Sequence, residues 1–451
     1  MTKHLFLAGA MTFGLLASPA FAQDAWTVRS EWVRAHESFL ASEALQGRGS
    51  ATRDEAIAAT YVGSQFEGYG LRPAPGMAGY LQSAKVIRYA LDGPAALTVA
   101  GRPAAAPTVL VGAAESISGT SAVFDGADLA KIPHAQVLFV TGGKASPMAL
   151  VRAASAAGAK LVIVREDDAT RALAKALGGK PRMPAGLEGK APPSYAAFAT
   201  LPSADFDKAA AQAGAPVALA LPVVREEAIT TNAIGWLPGS DPKAGVILVT
   251  AHLDHLGRKP DGTIMHGAND DASGTTAVLE LARAMAAAKQ ARRGLLFVAY
   301  GSEEIGGYGS SWFGDHPPVP LDQIVANIEI EMIGAQDPKL PAGTMMMTGF
   351  ERSTLGETLK AHGALVTADP YPEQRFFERS DNYSLAVRGV VAHTISGWAV
   401  TPTYHTPDDT LANLDIAFMT RAIQSLVEPL RALANSDARP QWKPGGKPEG
   451  K

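Results

Sequence analysis

From about residue 230 onward, apolar runs and amphipathic stretches alternate in a strand–helix–strand rhythm. Residues 246–251 (VILVTA) form an unbroken apolar run, the pattern of a strand buried on both faces. Residues 273–288, rich in alanine and leucine, predict a helix, with Ser273 placed to cap its N-terminus. Residues 295–300, 325–332 and 390–395 predict further buried strands. Apolar strands alternating with helices indicate an α/β fold: a mixed, largely parallel central sheet with helices on both faces.

Upstream the texture differs. Residues 26–45 and 53–69 carry apolar side chains at helical spacing, separated by a turn at Gln46-Gly47-Arg48-Gly49-Ser50. Between about 95 and 225 the segments are short and rich in alanine, valine, glycine and proline. They predict strands at 135–141, 160–164 and 217–224 and a helix at 148–157. This is a smaller α+β unit inserted into the main domain, which then comprises 23–94 and 226–435. Residues 436–451, rich in Pro, Gly and Lys, predict a disordered tail. Residues 1–22 are of another kind. A basic start at Lys3, an apolar run over 5–16 and Ala20-Phe21-Ala22 form a cleavable signal peptide, with a periplasmic or secreted destination. No stretch reaches the length of a membrane span, so no stable membrane anchor is expected.

Composition narrows the chemistry. A net charge of −4 over 451 residues, without a basic run, argues against nucleic-acid binding. The chain has no cysteine, which rules out disulfides, thiolate ligands and a cysteine nucleophile. Any metal must therefore sit on His, Asp and Glu, a set that suits zinc or a harder divalent ion.

Such residues gather where the predicted strands end. His252 and Asp254 follow the first strand, Glu303 and Glu304 the second, and Glu331 lies near the end of the third. Asp270 and Asp271 open the helix. In open α/β sheets, ligands bind outside the carboxyl ends of the strands. Taken singly, each feature has an ordinary structural role: a helix cap, a solvated pair, a core histidine. Their recurrence in order on consecutive elements points to a metal site. A bridging carboxylate can hold two divalent ions roughly 3.5–4 Å apart, each with an open position for water or substrate. Asp254, close after His252, is placed to hydrogen-bond its second ring nitrogen.

These residues resemble the M28 family of zinc metallopeptidases. The matching pieces are His252-Leu253-Asp254, Asn269-Asp270-Asp271-Ala272-Ser273-Gly274, Glu303-Glu304, Glu331-Met332-Ile333-Gly334 and Tyr404-His405-Thr406-Pro407. Residues 39–49 also resemble an N-terminal segment of bacterial members. Residues 95–225 resemble an inserted protease-associated (PA) domain. The resemblance implies a zinc-exopeptidase fold and an aminopeptidase acting on peptides with two zinc ions per chain. It implies Asp270 as bridge, His252 with Glu331 on one ion, and Glu304 with His405 on the other. Glu303 becomes the general base and Tyr404 an oxyanion donor. Asp254 and Asp271 support the ligands, and the Asp270–Asp271 peptide is expected to be cis.

One departure is Glu331, where most members carry aspartate. Glu329 lies on the same strand face, but Glu331 matches the motif and is nearer the strand end. His255 and His266 flank the site within reach of substrate, whereas His393 falls in an apolar strand. Ser380-Asp381-Asn382 resembles a pocket-lining segment in which the family commonly has histidine at the Asn382 position. The same resemblance admits a carboxypeptidase, a single-zinc glutaminyl cyclase or a non-catalytic binding protein. Neither oligomeric state nor the preferred N-terminal side chain follows from these residues.

Overall fold

The computed structural model describes residues 26–192 and 194–450. The signal peptide assigned to 1–22 lies outside the described residues. Four parallel strands form the middle of a nine-stranded sheet: Ala392–Ser396, Ile324–Glu331, Val246–His252 and Gly294–Tyr300, in that spatial order. Every residue of Val246–His252 and Gly294–Tyr300 is buried, as continuous apolar runs require when both faces are covered. One face carries Ile247, Val249, Phe297 and Ile328 into a core with helices Ser273–Ala286 and Ile416–Asn435. The other carries Leu248, Leu296 and Val298 against Phe313 and Leu385 of two short helices. Burying each such side chain stabilises the fold by about 1.5–3 kcal/mol.

Antiparallel pairings flank this middle on both sides, and one edge pair, Met345–Met347 with Val366–Ala368, is again parallel. Leu81–Leu91 and Val223–Leu237 form a long ribbon, paired from Leu81↔Ala233 to Leu91↔Val223, which joins the sheet beside Gly294–Tyr300. At the opposite side, Met345–Met347 runs antiparallel to Ala392–Ser396.

Residues between the two arms of this ribbon build a second, eight-stranded sheet. Its centre is the parallel set Ile117–Phe124, Val137–Val140, Leu161–Arg165 and Ala197–Leu201, with separate apolar clusters on its two faces. The single strand expected at 217–224 is in fact two, Pro216–Ala220 in this sheet and Val223–Leu237 in the large one. Pro222 stands at the break, where it has no N–H to continue a ladder. One piece of the 95–225 region, Ala185–Leu187, pairs with Leu81–Leu91 and so belongs to the large sheet.

The tail also differs from expectation. Residues 436–450 were predicted to be disordered from their Pro, Gly and Lys content, yet they pack on the main domain. Trp442 is the anchor. Its Nε1 donates to Gly389 O at 3.1 Å, and its ring lies 5.3 Å from that of His393. Gln441 and Thr354 exchange hydrogen bonds beside it. One large aromatic side chain outweighs the local composition.

The Gln46–Ser50 turn is a structural knot. The Arg48 guanidinium is fully buried and donates to Leu40 O, Leu253 O, His266 O and Gly267 O. It thereby ties the first helix, Ser30–Leu40, to both loops that carry the candidate ligands His252 and Asp270. Gly47 sits at φ +73, and a Cβ there would meet Met265 O at 2.1 Å, so only glycine fits. Beside this knot Glu37 is fully buried and accepts from Thr276 Oγ1 at 2.9 Å. Burial pushes its carboxyl up from 4.5 to about 8. The folded chain therefore holds a proton that the unfolded chain releases above 4.5. This contribution to stability is full below 4.5 and is lost as pH rises toward 8. Glu37→Gln should flatten that decline, measured as the unfolding temperature followed across the same pH window.

Candidate active site

The parallel strands end on one rim. His252 is the last residue of its strand, Glu331 is the last of its own, and Glu303 and Glu304 follow Tyr300 after a two-residue turn. The fourth contribution comes from a tight turn at Ala268–Ala272, just before helix Ser273–Ala286, where the Asp270–Asp271 peptide is cis as expected. His405 arrives on a loop near the C-terminal helix. Ser302, Met332 and His405 all have positive φ, at 56°, 53° and 55°. Non-glycine residues rarely adopt this conformation, and it clusters here at the rim.

The donor atoms converge in two groups. His252 Nε2 lies 3.2 Å from Asp270 Oδ1 and 4.0 Å from Glu331 Oε1. His405 Nε2 lies 3.1 Å from Asp270 Oδ2 and 3.2 Å from Glu304 Oε2. Donors bound to one zinc ion at about 2.0–2.2 Å in tetrahedral geometry lie roughly 3.3 Å apart. The 3.1 and 3.2 Å spacings match that edge, while Glu331 sits looser. The two oxygens of Asp270 face different histidines, the arrangement of a bridging carboxylate. His252 Nε2, His405 Nε2 and Glu304 Oε1 are buried without any hydrogen-bond partner. Each such orphan costs about 1–3 kcal/mol in an empty protein interior, so the donor set fits divalent cations. His255 joins the Glu304–His405 group, with Nδ1 2.7 Å from Glu304 Oε1.

Backbone hydrogen bonds hold the rim together. Asp271 accepts from Gly274 N at 2.8 Å, Met332 N at 3.0 Å and His252 N at 3.3 Å, linking three ligand-bearing segments. It does the capping expected of Ser273, whose hydroxyl instead donates to Asn269 O and accepts from Ile333 N. Asp254 does more than expected. His252 Nδ1 faces its backbone carbonyl at 3.2 Å and its Oδ1 at 3.7 Å, and its carboxylate also accepts from Glu303 N at 2.9 Å, Glu304 N at 3.3 Å and Ser50 Oγ at 2.6 Å. That carboxylate positions the glutamate pair more than the imidazole. Asp409, overlooked in the sequence, accepts from Asn269 N at 2.7 Å and Asp270 N at 3.1 Å. Its only advance sign was its place four residues after His405.

Electrostatics separate the carboxylates. Burial opposes ionisation of Asp270, but His252 and His405 outweigh it and hold its carboxyl well below the usual range. Burial pushes Glu303 well above the usual range, and His252 only partly offsets this. Asp381 is buried and is pushed up to about 7, chiefly by desolvation. Glu329 is turned to Thr250 Oγ1, a layer below the rim, which leaves Glu331 as the strand's contribution to the cluster. His266 Nδ1 faces Ala41 O at 3.1 Å, away from the group. His393 is satisfied by Ser353 Oγ and Thr348 O, as its place in an apolar strand implied. Asn382 bonds Thr394, Phe377 and Ala392. Tyr404 stacks on the His405 ring at 3.8 Å and lines a cavity of about 40 Å³ with Glu331, Met346, Phe376 and Ala399.

The strand-end rim thus presents two histidine–carboxylate groups, joined through Asp270, each of which could hold a metal ion. Residues 232–428 match the model of peptidase family M28. Among curated proteins, the chain is 27% identical over 175 residues to aminopeptidase YwaD of Bacillus subtilis (strain 168), covering 38% of this chain and 37% of that protein. It is 28% identical over 208 residues to leupeptin-inactivating enzyme 1 of Streptomyces exfoliatus, covering 42% and 45%. The match thus spans less than half the length of these relatives. Among solved structures, an aminopeptidase from Aneurinibacillus sp. strain AM-1 aligns over 90% of this chain and 94% of its own, at 19% identity and a TM-score of 0.58. BSAP, a zinc aminopeptidase from Bacillus subtilis, aligns over 91% and 96%, at 19% identity and 0.57. These two share the fold over about nine-tenths of this chain.

Proposed function

We propose that the chain is an exported aminopeptidase that uses two zinc ions to remove N-terminal residues from peptides. The observation that carries this reading is the split of Asp270 between His252 and His405, with their facing nitrogens unpartnered. His252, Asp270 and Glu331 would hold one ion, and Asp270, Glu304 and His405 the other. Bound zinc supplies a lowered pKa for water and polarisation of the scissile carbonyl.

The chain's own groups do the rest. Glu303, held through its amide by Asp254, takes a proton from the attacking water and returns it to the leaving amine. Tyr404, beside Glu331, is assigned to the developing oxyanion. The carboxylates edging the rim hold the substrate's α-ammonium group. The cavity beside Glu331 receives the first side chain, and about 40 Å³ suits a short one. The eight-stranded unit is assigned as a PA-like insert that shapes substrate access. Among the described residues, no helix is long and apolar enough to cross a membrane.

The test joins metal analysis to a blocked-peptide panel. About two zinc ions per chain and cleavage that requires a free N-terminus are expected, with fastest turnover for short first residues. One zinc ion with cyclisation of N-terminal glutamine would instead identify a glutaminyl cyclase. Cleavage of N-blocked peptides from their C-terminal end would identify a carboxypeptidase. Loaded protein inert on the whole panel would point to a binding protein.

A further inference from the structure

The geometry points to a fourth protein donor at the Glu304–His405 position: we infer that His255 binds the same cation through Nδ1. The inference rests on the two-cation reading but goes beyond the five residues assigned to it.

His255 follows His252 by one strand-end turn, and its backbone is locked by the Arg48 knot. Its N–H donates to Arg48 O at 3.0 Å, and its carbonyl accepts from Ser50 N at 3.3 Å. The ring packs on the bare Cα of Gly267, where a Cβ would come within 2.4 Å of Cγ. The imidazole is therefore held in place before any ligand arrives. Nδ1 lies 2.7 Å from Glu304 Oε1 and 3.8 Å from Asp270 Oδ2, and the ring stands edge-on to His405 at 5.6 Å. One ligand atom from each of His255, Asp270, Glu304 and His405 falls within 4.8 Å of all the others.

Two simpler roles fit less well. A space-filling ring would leave two polar atoms orphaned, since His255 is fully buried and neither nitrogen has a hydrogen-bond partner. An apolar side chain would do that work without the penalty. A hydrogen bond from Nδ1 to Glu304 Oε1 has the distance but not the alignment, and both atoms remain unpartnered. Two unpartnered ligand atoms 2.7 Å apart, grouped with Asp270 and His405, form a set that a shared cation would satisfy.

The consequence is asymmetry. The Glu304–His405 position gains four protein donors, two nitrogens and two oxygens, while the His252–Glu331 position has three. Zinc sites filled by four protein ligands are closed and tightly held, whereas three-ligand sites keep a place for water or substrate. The first ion is then retained and the second exchanges readily, and the open coordination position belongs to the His252–Glu331 side.

X-ray absorption on the fully loaded wild-type enzyme tests this without a variant. Three imidazoles shared between the two ions are expected; two would overturn the proposal. Zinc competition against a chromophoric chelator gives a second readout. Wild type should show two separated affinities. His255→Ala should lower the tighter one by more than roughly 100-fold, beyond the 10–100-fold typical of outer-shell residues. Added imidazole should restore it. Unchanged affinities and an unchanged visible spectrum of the cobalt-loaded variant would overturn the proposal. A wild type that binds at most one ion would instead overturn the two-cation reading itself.

Discussion

Glu303→Gln should bind zinc as the wild type does and lose roughly 10²–10⁴-fold in kcat/KM. Several features make the loss specific to chemistry. Glu303 is not among the groups of converging metal donors, so its replacement removes none of them. Its backbone amide is held by Asp254, and glutamine preserves that bond and the side-chain volume. What disappears is the capacity to accept a proton. Burial raises the Glu303 carboxyl well above the ordinary range, which moves a weak base toward the strength a proton shuttle needs. The readouts are zinc content, unfolding temperature and kcat/KM for a free N-terminal peptide substrate. Full activity with intact zinc would remove Glu303 from the mechanism. Lost zinc would show that the residue supports the metal site and not proton transfer.

Much of this rim was legible in the sequence, for a physical reason. Strands buried on both faces must be apolar throughout, so Val246–His252 and Gly294–Tyr300 announce themselves as unbroken runs. Polar residues just beyond such runs each admit an ordinary structural role, and it is their recurrence on consecutive strand ends that marks His252 and the Glu303–Glu304 pair. The long ribbon was not legible, because Leu81–Leu91 mixes buried and exposed positions without strict alternation. His255 was read as a substrate contact, since nothing in its spacing shows that the chain turns its ring back toward Glu304. Asp254 and Asp409 carry no mark of which backbone amides they accept from. Those partners lie 49 and 140 positions away along the chain, a distance only the fold closes. The tail was misread because composition averages over residues, whereas a single Trp442 can dock a segment.

The Arg48→Met variant should be the most destabilised single substitution considered, by about 3–5 kcal/mol. A buried guanidinium is expensive to desolvate, and here four backbone carbonyls offset that expense. Methionine fills much of the space but leaves those carbonyls without donors in the protein interior. Lysine should fail nearly as badly, because a single ammonium cannot reproduce the planar fork that reaches four acceptors in different directions. The effect should extend to metal. Leu253 O and Gly267 O belong to the two loops that position His252 and Asp270, so freeing them loosens the bridge between the two groups of donors. Denaturant unfolding with and without zinc separates the two contributions. A metal that binds only the folded state adds stability in proportion to its affinity, so the zinc-dependent increment should shrink in Arg48→Met along with the baseline. A baseline that falls while the zinc increment stays at its wild-type size would confine Arg48 to the first helix and detach it from the site.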